Sequence, residues 1–341
     1  MSAVFAVVEH RDGQIDEVGL ELLSAARGVA SAVGGSLEAV VIGPGADAAP
    51  PDMAAYGVDR AHVVSHPLLS AYAPDAYADS LVQLMQSQQP LAVLASGTEK
   101  GNEVLAHVAA RSDLPMAANC TEISPGDGGN GQTWTLTRMR WGGSLLEEAA
   151  LDAPTKLLTV APHAFEATQV TDGDPASSNA GAANGQVVVE SFAPDLDDRA
   201  AVVRVVDHEP SGGGVSLASA PVVVSGGRGV GGADGFAVLE ELADLLDGAV
   251  GCSRVATNNG WRSHSDQVGQ TGTKVAPQLY IACGISGATQ HWVGCKDAKH
   301  ILAINTDPEA PLVTRGDYAV IGSLHDVLPA IVDEVRRRKA A

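Results

Sequence analysis

The sequence predicts an α/β protein of two domains, each a mostly parallel sheet with flanking helices. Three observations predict it. Strand-like runs alternate with helix-periodic segments from the first residues onward. A stretch from Thr171 to Gly185, rich in Ser, Asn, Ala, Gly, Asp and Pro, breaks the alternation. From Pro221 the alternation restarts.

Val4 to Val8 is a strand-like run, followed by the turn residues Arg11-Asp12-Gly13 and a helical pattern over Val18 to Val33 that Gly34-Gly35 ends. Leu37 to Ile42, Ala61 to Val64 and Leu91 to Ala95 read as further strands, with helices over Asp75 to Gln86 and Gly101 to Arg111. The rhythm then changes, with a β-rich run from Thr133 to Arg140 and a short buried strand, Lys156 to Val160. Thr171 to Gly185 has too few large apolar side chains to offset the entropy of ordering it and reads as loop. With the glycines of Ser211 to Gly214, this places a first domain at 1–195, a linker region at 196–216 and a second domain at 217–341. In the second domain Pro221 to Val224, Leu279 to Cys283, His300 to Ile304 and Tyr318 to Ile321 read as strands. Phe236 to Leu246 and Ser323 to Arg338 read as helices. Arg336, Arg337, Arg338 and Lys339 sit where the negative end of a helix dipole favours them, a structural role.

With 341 residues and 45% hydrophobic side chains, the chain can bury a core in each domain. No run approaches the roughly 18 apolar residues of a membrane span. The start of the chain has no basic residues ahead of a short apolar run, so a cytoplasmic protein is expected. Cys120, Cys252, Cys283 and Cys295 show no metal-ligand spacing and read as reduced, partly buried thiols. A net charge of -20 excludes a nucleic-acid binder, which needs a basic surface. The basic residues include only six lysines, Lys100, Lys156, Lys274, Lys296, Lys299 and Lys339. Such a surface resembles proteins of halophilic microbes, where salt screens self-repulsion; an ordinary acidic cytosolic protein is the other reading.

Chemistry concentrates in four polar segments of the second domain. Ser225 to Gly231 is a glycine-rich loop leaving a strand, with Arg228 inside it; alone it reads equally as a phosphate cradle or a plain tight turn. The text from Gly251-Cys252-Ser253-Arg254 through Gly260-Trp261 to Gln267-Val268-Gly269-Gln270-Thr271-Gly272 is too long for a simple connector. Leu279 to Gly284 breaks into Ile285-Ser286-Gly287-Ala288-Thr289-Gln290-His291, and Ala303 to Pro311 places Asn305 at another strand end. In open parallel sheets these carboxyl edges are where ligands bind. His291 alone reads equally as a core histidine. Asp297 and Lys299 read as a surface pair and not as an acid and base.

Together, in order and spacing, these segments resemble the electron-transfer flavoprotein alpha-subunit family. The densest likeness runs from Leu279-Tyr280-Ile281-Ala282 through Gly284-Ile285-Ser286-Gly287-Ala288 and Gln290-His291 to Ala303-Ile304-Asn305 and Asp307-Pro308-Glu309-Ala310-Pro311. A weaker likeness continues in Glu9 to Gly13, Glu21 to Arg27 and Thr137-Arg138.

The resemblance implies a Rossmann-like C-terminal FAD domain and an N-terminal domain serving as scaffold and beta-subunit interface. It implies FAD contacts from Arg228, Ser253, Arg254, Val268, Gly269, Gln270 and Thr271, then Ser286, Gly287, Ala288, Thr289, Gln290 and His291. Asn305, Ser323 and Leu324 complete the set. Within it Arg254 packs near the flavin ring, Thr271 reaches its N5 side and His291 donates to its C2 carbonyl. A positive charge and donors there favour the reduced flavin. The sequence departs from the family pattern at Thr273, Gln278, Asn258 and Ser323, the last at the adenosine end.

The implied activity is a redox carrier in a heterodimer. It takes electrons from flavin dehydrogenases and hands them to a membrane quinone oxidoreductase. An electron-bifurcating complex that oxidises NADH and a nucleotide-binding regulator remain as alternatives.

Overall fold

The computed structural model describes residues 2–126, 133–143, 145–171, 187–206, 217 and 220–339. The loop read at Thr171 to Gly185 and the segment Ser211 to Gly214 lie outside these, apart from Thr171. The chain divides into two compact units, Met1–His208 and Glu209–Ala341.

In the first unit β1 (Ala3–Val8) is followed by two short strands, β2 (His10–Arg11) and β3 (Gln14–Ile15). Asp12 and Gly13 join them, both at positive φ, as a tight hairpin turn requires. Asp16 caps α1 (Glu17–Ala32) by accepting from the Gly19 amide at 2.9 Å. Then come β4 (Ser36–Ile42), α2 (Pro50–Met53), β5 (Arg60–Val64), α3 (Pro74–Gln88) and β6 (Ala92–Ser96). Thr98 caps α4 (Glu99–Ser112). The unit continues with β7 (Met116–Ser124), β8 (Trp134–Arg140), β9 (Leu145–Leu151), β10 (Lys156–Val160) and β11 (Val188–Phe192).

Nine of these strands form one sheet in the order β11-β5-β4-β1-β6-β10-β7-β8-β9. It is parallel except where β7, β8 and β9 run antiparallel. One face packs Val4, Ala6 and Leu158 with Leu22, Leu23 and Ala26 of α1. The other packs Phe5, Val93 and Leu157 with residues of α3 and α4. Ala200 and Ala201, inside the stretch read as linker, are buried in this second cluster.

The α/β reading and its parallel sheets are borne out. Strands β2, β3, β7, β9, β11 and β13 (below) have no counterpart in the sequence reading. The run Leu145 to Leu151 is made of Leu, Glu and Ala, good helix formers, and becomes a strand because it pairs residue by residue with β8.

The second unit runs β12 (Val222–Gly226), α5 (Ala237–Leu245), β13 (Ala249–Cys252), α6 (Arg254–Asn258), β14 (Leu279–Cys283) and α7 (Thr289–Cys295). It ends with β15 (Ile301–Asn305), α8 (Pro311–Arg315), β16 (Tyr318–Ile321) and α9 (Leu324–Lys339). All five strands are parallel, in the order β13-β12-β14-β15-β16. Helices α5 and α9 cover one face through Leu239, Leu242, Leu328 and Val332. Tyr280, Cys295 and Leu312 fill the core on the other.

All four cysteines are free and fully buried, not partly so as expected, and burial pushes each thiol up to about 12. The basic end of α9 is engaged in ion pairs: Arg336 with Glu241, Arg337 and Arg338 with Glu334, and Lys339 with Asp247. Asp297 meets Lys296 at 3.7 Å, so its partner is the adjacent residue and not Lys299.

Candidate functional site

Because the five strands of the second unit are parallel, their carboxyl ends share one edge. Strand β12 has β13 on one side and β14 on the other, so successive connections leave in opposite directions and open a crevice there. A cavity of about 640 Å³ occupies that edge.

The loops after β12 and β14 are laced together at the crevice floor. The Gly227 amide donates to the Cys283 carbonyl at 2.9 Å, and the Gly229 amide to the Gly284 carbonyl at 3.1 Å. A Cβ on Gly227 would stand 2.5 Å from the Gly284 oxygen, so only glycine allows this approach. Arg228, between the two, is exposed on the cavity wall.

Strand β13 delivers Ser253 and Arg254. Ser253 occupies the N-cap position of α6, yet its hydroxyl caps nothing. It is 8% exposed, and its Oγ has no hydrogen-bond partner among the described residues. Arg254 opens α6 and lines the cavity.

Ser286, Gly287, Ala288, Gln290 and His291 follow β14 along the wall. Gly287 has φ +81°, and a Cβ there would lie 2.6 Å from the Leu312 side chain, fixing the turn against α8. Asn305 stitches neighbouring loops: its amide donates to the Ile285 carbonyl at 3.0 Å and its Oδ1 accepts from the Asp307 amide at 3.1 Å. Ser323 and Leu324 close the far end after β16.

Five of the residues named from the sequence do not line this cavity: Val268, Gly269, Gln270, Thr271 and Thr289. Their loop leans on α7 instead. The Gln270 amide donates to the Gln290 carbonyl at 2.7 Å, and a Cβ on Gly294 would stand 2.3 Å from the Gly269 nitrogen. Gln267, 3% exposed, holds this loop by accepting from Thr257 Oγ1 at 2.8 Å and donating to Thr271 Oγ1 at 2.9 Å. Sequence reasoning passed over Gln267; its only signal was its place at the head of the polar run.

His291 is 7% exposed, and burial drives its pKa down to about 4, so it is neutral near pH 7. Its Nε2 lies 2.8 Å from the Tyr280 hydroxyl, and its Nδ1 completes no hydrogen bond among the described residues.

The wall therefore combines two cations with two unsatisfied buried polar atoms. In a chain with 41 acidic residues, the Arg228 and Arg254 side chains have no ion pair or hydrogen bond among the described residues. Arg262 nearby, by contrast, meets both Glu240 and Asp266. Buried polar groups left open cost about 1–3 kcal/mol each unless a ligand satisfies them. An elongated, anionic ligand with polar groups along its length suits this donor set.

A family model described as electron transfer flavoprotein domain matches residues 4–196. A second, described as electron transfer flavoprotein FAD-binding domain, matches residues 216–296, which include Arg228, Ser253, Arg254 and His291. The chain is 36% identical to the electron transfer flavoprotein subunit alpha of Syntrophomonas wolfei, over 99% of this chain and 100% of that one. It is 38% identical to the protein of the same name from Mycobacterium leprae, with the same two coverages. The protein from Thermoanaerobacterium thermosaccharolyticum that bears this name shares 34% identity over 98% of both chains.

Proposed function

Because this chain belongs to the electron-transfer flavoprotein alpha-subunit family and its second unit is an FAD-binding domain, we propose that it is the alpha half of a redox carrier. Paired with a beta subunit, it accepts electrons from flavin dehydrogenases through FAD and passes them to a membrane quinone oxidoreductase. The observation that carries this reading is the meeting, at one sheet edge, of two unpaired arginines with the open Ser253 Oγ and His291 Nδ1. These groups fit FAD: cations suit its pyrophosphate, and open donors and acceptors suit its ribityl hydroxyls and ring carbonyls.

Bound FAD supplies reversible electron uptake; the chain's own residues bind and bias it. Arg228, Asn305 and the glycine turns around Ser286 hold one end. Arg254 and His291, which line the cavity, would hold the ring, where a positive charge and an N–H donor favour the reduced form, and Thr271 would act on it from the loop behind the wall. Ser323 and Leu324 take the adenosine end. Val268, Gly269, Gln270 and Thr289 act from the loop and helix that back the wall.

The first unit serves as scaffold and subunit interface. At the β8–β9 hairpin tip Trp141 is 78% exposed, with Leu145 and Leu146 exposed beside it, an apolar surface of the kind a partner covers. No helix among the described residues is long and apolar enough to cross a membrane. We place the complex in the cytoplasm, reaching its quinone-linked acceptor by docking.

Co-expression of this chain with the beta subunit tests the reading. A yellow heterodimer with one releasable FAD on this chain is the expected result, and a colourless complex that FAD cannot reconstitute overturns it. Rapid reduction by NADH would assign the complex to the bifurcating class; reduction only by a flavin dehydrogenase keeps it a carrier.

A further inference from the structure

We propose that Tyr280 is a positioning residue: its hydroxyl fixes the tautomer of His291, so that the neutral imidazole presents Nδ1–H as a donor to the cofactor crevice. This rests on the reading that His291 faces FAD.

Tyr280 is the second residue of β14, and His291 the third of α7. The chain turn through Gly284 and Gly287 folds one back over the other, with ring centres 6.1 Å apart. Tyr280 is 0% exposed, and its hydroxyl has a single proton to place. The His291 Nε2, 2.8 Å away, is its hydrogen-bond partner. Ser225 Oγ, the other polar atom near the hydroxyl, completes no hydrogen bond among the described residues but stands close enough to lower the Tyr280 pKa, the effect of a donor, and a donor there leaves the tyrosine's own proton for Nε2.

A buried O–H without an acceptor costs about 1–3 kcal/mol. The arrangement that avoids this has the tyrosine donating to a bare Nε2. A neutral imidazole carries one ring proton, so that proton resides on Nδ1. Two further facts agree. Burial keeps His291 neutral and raises the Tyr280 pKa well above its ordinary value, so neither group changes protonation near pH 7. The Val268 backbone stands close enough to the imidazole to favour a ring proton, and with Nε2 engaged that proton is on Nδ1, which completes no hydrogen bond among the described residues.

The consequence is selectivity by polarity. An Nδ1–H donor accepts a carbonyl oxygen as its partner and rejects another donor. A tyrosine two shells from the ligand thereby decides which side of a ring His291 can bind, without adding charge.

Ring-¹⁵N-histidine labelling of the heterodimer tests this, with His291→Asn identifying the His291 signals. Two-bond ¹H–¹⁵N correlations should show a protonated Nδ1 and a bare Nε2 in the parent. Tyr280→Phe keeps the ring and removes only the hydroxyl. It should convert the signals to a mixture of tautomers and raise the FAD Kd by roughly 3- to 10-fold. A parent spectrum with Nε2 protonated overturns the proposal, and it does so even if Tyr280→Phe does not fold. An unchanged Nδ1–H tautomer in Tyr280→Phe also overturns it, whatever happens to FAD affinity, because Tyr280 would then be packing alone. FAD that binds without moving the His291 signals breaks the link to the cofactor. Absence of any FAD binding by the parent instead overturns the function proposed above and leaves the tautomer assignment standing.

Discussion

The ammonium of Lys156 lies 5.7 Å from the centre of the Trp134 ring, and both residues, at the starts of β10 and β8 in the first unit's sheet, are fully buried. The Lys156 Nζ has no hydrogen-bond partner among the described residues. The ring face returns part of the desolvation cost, and burial lowers the lysine pKa, opposed by Asp152.

Lys156→Met should therefore stabilise the protein, by about 1 kcal/mol, since it keeps the length of the side chain and removes the buried charge. The sign with pH follows from the lowered folded pKa. Below it both states are protonated and the full penalty applies; the penalty fades as pH rises toward the ordinary lysine range near 10. Melting curves of both proteins between pH 7 and 10 should converge at the alkaline end. A variant less stable than the parent at pH 7 would show that the ring contact outweighs the desolvation.

A second prediction concerns the loop behind the site. A Cβ at Gly294 would stand 2.3 Å from the Gly269 nitrogen and 2.4 Å from its Cα, backbone atoms that no rotamer change can move. Gly294→Ala should cost about 1–3 kcal/mol and weaken FAD by displacing Gly269 to Thr271. Chemical denaturation and FAD titration read the two effects separately. Normal stability with normal affinity would mean that the loop shifts freely and holds nothing.

His291 gives an acid-side signature. Its pKa is lowered from 6.5 to about 4, so the unfolded state binds the proton first and stability falls as pH drops from about 6.5 to 4, then levels. The loss attributable to this group is on the order of 3 kcal/mol across that window. His291→Gln should flatten the acid limb relative to the parent. An acid limb of the same steepness in both would place the titration elsewhere.

Arg254→Ala should retain FAD but lower the flavin potential, by roughly tens of millivolts, because an unpaired cation beside the ring favours the reduced form. Lysine at this position should recover part of the shift, keeping the charge and losing the planar stacking surface. Redox titration of the three proteins decides it, and equal potentials at full occupancy would remove Arg254 from the ring.

The net charge of -20 predicts a salt-dependent fold, with the melting temperature rising between dilute buffer and molar salt as self-repulsion is screened. A melting temperature that salt does not move would leave the ordinary acidic-protein reading.

From the sequence alone came the alternation of strands and helices, the strands Lys156–Val160, Leu279–Cys283 and Tyr318–Ile321 at their observed limits, and the polar residues at the strand ends of the second unit. Those features are local: periodicity reports which face of a segment is apolar, and glycines report where the backbone must turn or be approached.

What required the tertiary structure was every relation between distant segments. The insertion of β10 between β6 and β7 and the strand identity of Leu145 to Leu151 depend on hydrogen bonds offered by a neighbouring strand. Gln267 becomes structural only when Thr257 and Thr271 flank it, and Tyr280 meets His291 only after the loop between them folds back. The same holds for charge: the sequence marks Arg228 by its glycine loop and Arg254 by the family resemblance, but only the folded arrangement leaves both unpaired among the described residues while Arg262 is held by two carboxylates. Pairing energies act across space, and a linear pattern encodes which groups exist but not which of them will lack a partner.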